Sequence, residues 1–256
     1  MDNNKILKIA MQQQAIDYNC LPEDFCSSEN KVFISKENPK ARAYLQLPFF
    51  CALTSFGNNV VASVHADIAD FVSEYIKNKK IEDCFAPPAI FTLNDELQKH
   101  NVHFSFCAQR TLPDVNVIKP ISCDYKLMIL HPEDYSELYG RPEWINAVGN
   151  GRHRDLDKRA VGAFDGQKLI GLAGSGASCE RMWQIGVDIL PDYRRKGVAS
   201  ALINRLALEI LDMGIVPFAG NRWANIGSIK TQFSCGFRPA WVELTANPPD
   251  YSSMNQ

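Results

Sequence analysis

Val187-Asp188-Ile189-Leu190-Pro191-Asp192-Tyr193-Arg194-Arg195-Lys196-Gly197-Val198-Ala199-Ser200 reads as a strand, a tight basic turn and the opening of an amphipathic helix. From Val198 the apolar residues recur at Leu202, Leu206 and Ile210, the four-residue step of one helix face. Gly214, just beyond Met213, marks the expected stop. The first N–H groups of a helix lack a carbonyl partner and sit at the positive end of the helix dipole. A basic turn leading into such an end suits a phosphate or pyrophosphate. Gly197 gives the turn conformational freedom, and small Ala199 lets a ligand come close to the backbone.

Working outward, residues 216–220 read as a short buried strand, and Asn225-Ile226-Gly227-Ser228 opens a second helix. Cys235-Gly236-Phe237 then passes from a glycine stop into a further strand. Residues 159–164 and 168–173 flank Asp165-Gly166, a hairpin signal. The order Gly171-Leu172-Ala173-Gly174-Ser175-Gly176 is wrong for a dinucleotide fingerprint and reads as a bend between two strands.

These residues resemble motif A of the GCN5-related N-acetyltransferases (GNAT), whose signature is Arg or Gln, two residues, Gly, one residue, then Gly or Ala. Here those positions are Arg194, Gly197 and Ala199. The resemblance covers roughly residues 121–250. It implies an α/β (α+β) fold, a mixed, mostly antiparallel sheet flanked by helices over 121–256; residues 1–120, outside the resemblance, read as an additional α/β domain.

In that leading part the spacing predicts helices over 1–20, 65–78 and 93–100, and strands over 31–35, 44–47 and 103–107. A hairpin is expected from 49–56 and 60–64, and a connection over 109–120. No chemical motif stands there, so a substrate-binding cap, a degenerate second copy of the transferase fold and a dimerisation unit all stay open. A homodimer is accordingly one expected assembly.

A hydrophobic content of 46% and a charged content of 22% fit a globular protein. A net charge of −2 gives no electrostatic case for nucleic acid or an anionic membrane as partner. No apolar run approaches the ~18 residues of a membrane span, and the start lacks the apolar core of a signal peptide. Eight cysteines are scattered without a C-x-x-C pair. A cytoplasmic location with reduced thiols is expected. His100 and His103 find no third ligand, so no metal is expected, and His153 reads as a surface residue in a polar segment.

The resemblance implies acetyl-coenzyme A as co-substrate and a small-molecule primary amine as acceptor. The pyrophosphate would meet the backbone of Arg195, Lys196, Gly197, Val198, Ala199 and Ser200, with charge from Arg194, Arg195 and Lys196. Strand N–H groups of Val187, Asp188 and Ile189 would polarise the thioester carbonyl, in the manner of an oxyanion hole. Asn225 and Ser228 would meet the pantetheine arm, a reading preferred here to the plainer one of a helix cap plus a surface residue. The base candidates are Glu180 and Asp188, which strand alternation places on one face unless a bulge intervenes. Gln232 stands where the family often has a Tyr that protonates the leaving thiolate. That departure keeps a non-catalytic coenzyme A-binding sensor or scaffold in view; a peptide or protein N-acetyltransferase, which an open peptide groove would favour, is a further alternative.

Overall fold

The computed structural model describes residues 1–149 and 154–248; His153 lies outside them. The chain runs α1 (Asn3–Tyr18), β1 (Lys31–Ile34), β2 (Cys51–Ser55), β3 (Val61–Val64), α2 (Ala69–Ile76), α3 (Ile81–Cys84), α4 (Ala89–Lys99) and β4 (His103–Pro113). It continues through β5 (Lys126–Leu130), α5 (Ile145–Val148), β6 (Asp157–Asp165), β7 (Lys168–Gly176), β8 (Met182–Ile189), α6 (Val198–Asp212), β9 (Val216–Asn221), α7 (Ile226–Ser234) and β10 (Phe237–Asn247). Two compact units result, and they do not follow chain order. Met1–Ile9 joins Thr111–Pro239, while Ala10–Arg110 joins the chain from Ala240 onward.

In the unit built on Thr111–Pro239, β5, β6, β7 and β8 are antiparallel neighbours and β9 joins β8 in parallel. The β6–β7 hairpin turns at Gly166, whose φ of 59° lies in the left-handed region. The α6 stripe of Val198, Leu202, Leu206 and Ile210 packs on Val161, Ala163, Ile170, Ala173 and Ile185. Leu202, Leu206 and Ile210 are fully buried, each worth roughly 1.5–3 kcal/mol of transfer free energy. A second cluster gathers Leu130, Tyr135, Trp144, Ala147, Val148, Ala160 and Leu172.

In the other unit β1 pairs with β3 in parallel, β3 with β2 antiparallel, and β2 with the later part of β10, from Val242↔Ser55 to Ala246↔Cys51. Every residue of β2 and β3 is buried. On one side Leu53 and Val64 pack with α2 and α4 residues such as Val72, Leu93 and Leu97. On the other, Ala52 and Val61 meet Ala15 and Tyr18 of α1.

This unit also buries four charges. Arg42 donates to Asp17 (2.5 Å) and Glu243 (2.9 Å), and Arg110 donates to the second oxygen of Glu243 at 3.0 Å. Trp241 Nε1 donates to Glu243 at 2.7 Å. Burial by itself raises the Glu243 carboxyl, but Arg110 and then Arg42 outweigh it and hold it far below the usual carboxylate range.

Three expectations are corrected. Residues 44–47 form no strand, because the segment instead carries the buried Arg42 and passes through Tyr44, which accepts from that guanidinium at 2.7 Å. Residues 109–113 belong to β4 and are no connection. Residues 171–176 continue β7, paired with β8 from Gly171↔Ile189 to Gly176↔Gln184 with no break, so the glycines there are not a bend.

Candidate active site

Between β8 and β9 only Met182↔Val216, Trp183↔Pro217 and Gln184↔Phe218 are paired. Beyond them β8 runs on to Ile189 and β9 to Asn221, so the two strands part. The N–H of Leu190 donates to the Ile170 carbonyl at 2.9 Å. The β7–β8 register is unbroken through that end, and backbone polar groups alternate sides along a strand. Gly186 and Asp188 therefore direct their N–H groups at β7, the N–H of Ile185 faces Phe218 at the last paired register, and Val187 and Ile189 direct theirs into the parting. Of the three residues expected to polarise the carbonyl, Val187 and Ile189 face the parting with their N–H groups and Asp188 faces β7.

The basic turn closes this end of the parting. Arg194 Nε donates to the Ile189 carbonyl at 3.1 Å, which folds the turn back on its own strand. Arg195 (φ 62°) and Gly197 (φ 76°) both adopt left-handed backbone, and Gly197 occupies the N-cap position of α6 without a side-chain cap. The first helical donor with an internal acceptor is Ala201, whose N–H reaches the Gly197 carbonyl at 3.1 Å. The N–H groups of Val198, Ala199 and Ser200 thus have no intrahelical acceptor, and no acidic side chain stands in that first turn. Arg194, Arg195, Lys196 and Gly197 are exposed. Lys196 and Lys168 both lie over the Tyr193 ring, at 5.1 and 5.3 Å, and Tyr193 donates to Asp165 at 2.9 Å. The turn is thereby cationic and folded back on its strand, with donors that a pyrophosphate could fill.

Three hydroxyls and amides flank it. Ser234 donates to the Thr231 carbonyl at 2.8 Å, so across the 2.7 Å contact between Ser200 and Ser234 it is Ser200 that donates. Asn225 caps α7 by accepting the Ser228 N–H at 3.1 Å, which leaves its amide NH2 available. The Ser228 hydroxyl accepts from Gln232 at 3.4 Å. Beneath α7, Cys235 is buried, and burial pushes its thiol up to about 12, a nonreactive sulfur.

Gln232 is also buried, and every polar atom it has is engaged. Its carbonyl oxygen accepts from Asn221 (2.6 Å) and Thr111 (2.7 Å), and its amide donates to Asn221 at 3.0 Å. It therefore locks α7 to the ends of β4 and β9.

The two carboxylates expected as bases separate. Glu180 is exposed and precedes β8, which starts at Met182. Met182, where the strand begins, is itself five residues from Val187, roughly 17 Å at ~3.3 Å per residue. Asp188 is committed elsewhere: its Oδ2 accepts the N–H groups of Asn146 (2.7 Å) and Ala147 (2.9 Å), and its Oδ1 accepts the Asn146 side-chain amide at 2.6 Å. The register of β8 is unbroken from Gln184 to Ile189, but Glu180 lies before the strand, so alternation does not place it on the face of Asp188. Of the tryptophans, Trp183 packs beside the α6 core, Trp144 is buried in the second cluster and Trp223 is half-exposed. Among the described residues no three His, Cys, Asp or Glu side chains form a metal-binding group, and no helix is long and apolar enough to cross a membrane.

Residues 124–237 match the family model described as acetyltransferase (GNAT) family. No curated protein matches the sequence. Among solved structures, the chain is similar to a GCN5-related N-acetyltransferase-like protein from Streptococcus suis, at 23% identity over 61% of this chain and 67% of that one, TM-score 0.44. It is similar to an aminoglycoside N-acetyltransferase in complex with coenzyme A, at 16% identity over 47% of this chain and 92% of that one, TM-score 0.37. A protein from Drosophila matches over 96% of this chain and 90% of its own, at 10% identity and TM-score 0.48. The chain spans between 60% and 67% of the length of several of the GNAT structures it resembles.

Proposed function

We propose that this chain, whose residues 124–237 carry a GNAT acetyltransferase domain, transfers an acetyl group from acetyl-coenzyme A to a primary amine of a small metabolite. One observation carries the reading: β8 leaves β9 after three paired residues, beside a cationic turn that opens onto bare helix N–H groups. Acyl transfer falls to the unit containing Thr111–Pro239.

In this reading the N–H groups of Val198, Ala199 and Ser200 hold the pyrophosphate, with charge from Arg194, Arg195 and Lys196. The amide of Asn225 and the hydroxyl of Ser228 meet the pantetheine arm. The N–H groups of Val187 and Ile189 donate to the thioester oxygen as the amine attacks. An alkyl ammonium has a pKa near 10 and must lose one proton before the amine can attack. A nitrogen–carbon bond then forms, the carbon–sulfur bond breaks, and the nitrogen gives up a second proton. With Glu180 remote and Asp188 committed, solvent takes both protons and returns one to the thiolate, because Gln232 is not an acid. The rate then rises with pH through the neutral range, with no falling limb from a tyrosine.

The burial of Gln232 supports a second reading, a coenzyme A-binding module without turnover. Calorimetry with coenzyme A, followed by thiol release from acetyl-coenzyme A with tyramine, spermidine, lysine, glucosamine and a short peptide, separates the two. Binding with turnover of a small amine is expected. Binding without turnover favours the module, preference for the peptide favours a peptide acetyltransferase, and no binding removes all three.

A further inference from the structure

The helix α5 is a single turn, too short to hold itself by its own hydrogen bonds. It packs on β7 and β8 at the face opposite α6. Ile185 and the partly buried Val187 and Ile189 belong to the α6 core, whereas the alternate residues Gly186 and Asp188 meet Asn146 and Ala147. Gly174 and Gly186 are direct partners in the β7–β8 ladder. A Cβ on Gly174 would stand 2.1 Å from the Ala147 carbonyl oxygen, and one on Gly186 only 1.7 Å from that of Asn146. Two bare Cα atoms therefore seat the same dipeptide whose N–H groups Asp188 accepts.

On the α6 face of β8, Val198, Leu202 and Ile185 are packed into the core, whereas the opposite face, toward α5, carries exposed groups. There Ile145 is 45% exposed, and the Asn146 amide is held by Asp188, which leaves its carbonyl oxygen free to receive an N–H.

We propose that Asp188 is a positioning residue for the acceptor: it clamps Asn146–Ala147 onto the Gly174–Gly186 seat, so that Ile145 and Asn146 form the wall that receives the amine. This rests on the acyl-transfer reading above. It assigns Asp188 no proton transfer, only the placement of a wall that contacts the acceptor.

The test uses the full chain with Asp188→Ala, Asp188→Asn and Gly186→Ala, the last of which displaces α5 with the carboxylate intact. Amide exchange at Asn146 and Ala147 is expected to accelerate by about tenfold or more in Asp188→Ala, as the hydrogen bonds are lost. With the best amine of the panel above, its KM is expected to rise about tenfold in Asp188→Ala and Gly186→Ala, with kcat much less affected. Coenzyme A affinity by calorimetry stays within about threefold of wild type in Gly186→Ala, which also shows that this variant is folded. Unchanged exchange at Asn146 and Ala147 in Asp188→Ala overturns the clamp. A wild-type amine KM in Gly186→Ala, together with a kcat collapse in Asp188→Asn, overturns positioning in favour of base catalysis. Failure of the wild-type chain to bind coenzyme A sinks the acyl-transfer reading itself, and is seen before any variant is made.

Discussion

Replacing Gly197 tests the pyrophosphate turn most directly, because strain and obstruction can be separated there. At φ 76° and ψ −5° this residue is left-handed, a region that costs an L-residue with a Cβ about 1–2 kcal/mol. Nothing in the protein lies within 4 Å of where that Cβ would stand, so no clash adds to the cost in the free protein. If the turn relaxes to relieve the strain, the N–H groups of Val198, Ala199 and Ser200 lose their alignment, and affinity falls by about the same free energy, roughly tenfold. A β-branched side chain is strained further and projects into the open space the ligand needs, so Gly197→Val should lose about a hundredfold. Asn tolerates left-handed backbone better than other residues with a Cβ, so Gly197→Asn isolates obstruction from strain. Isothermal calorimetry with coenzyme A at low and high salt reads all three. The expected order of affinity is wild type, then Asn, then Val, with wild-type binding weakening as salt rises. Wild-type affinity in Gly197→Val refutes the placement of the pyrophosphate at this turn.

Glu243→Gln removes the buried carboxylate that both Arg42 and Arg110 pair with, and urea unfolding should show a loss of about 3 kcal/mol. Because folding depresses the Glu243 carboxyl, its contribution is complete above the unfolded value of about 4.3 and fades as pH falls through the folded one. The variant should therefore flatten the acid limb of stability, and an acid limb as steep as wild type would contradict the assignment. Gln232→Ala strips the buried Asn221 amide and Thr111 hydroxyl of their partner, so a loss of about 2 kcal/mol is expected in the same assay, and a neutral result would mean water replaces the amide freely. A chain beginning at Ser122 removes β2, the pairing partner of Val242 to Ala246, and exposes Leu244 and Ala246. It should be recovered as aggregate, and a soluble monomer with a sharp thermal transition would show that the later part of β10 is dispensable.

Local signals fixed most of the first unit's elements in advance. The apolar step from Val198 to Ile210 gave α6, Gly214 gave its stop with φ 78°, and Asp165-Gly166 gave the β6–β7 turn. Asn225 proved to be a cap in addition to whatever else it does. Partners distant in sequence left no such trace. Arg42 and Glu243 are 201 positions apart, and an arginine in a segment without periodicity reads as solvated surface. The strand expected over 44–47 failed for that reason: its neighbour is tied down by side chains, not by a ladder. Gln232 was legible as a departure from a pattern but not as a lock, since Asn221 and Thr111 reach it from two different strands.

Asp188 shows where reading by alternation stops. The period of two correctly put Gly186 and Asp188 on one face of β8, but a face does not assign a task to a carboxylate. That task depends on which donors reach it, and here they come from Asn146 and Ala147, in a segment with no motif of its own. The available signal lay in the glycines. A glycine inside a strand marks close backbone approach, and Gly174 and Gly186 fall opposite one another, two residues from the carboxylate along β8. Backbone packed that closely on a strand brings its own N–H groups within reach of the next side chain on the same face. A carboxylate in that position is satisfied by main chain before any substrate arrives, which makes it an anchor and leaves proton transfer to another group.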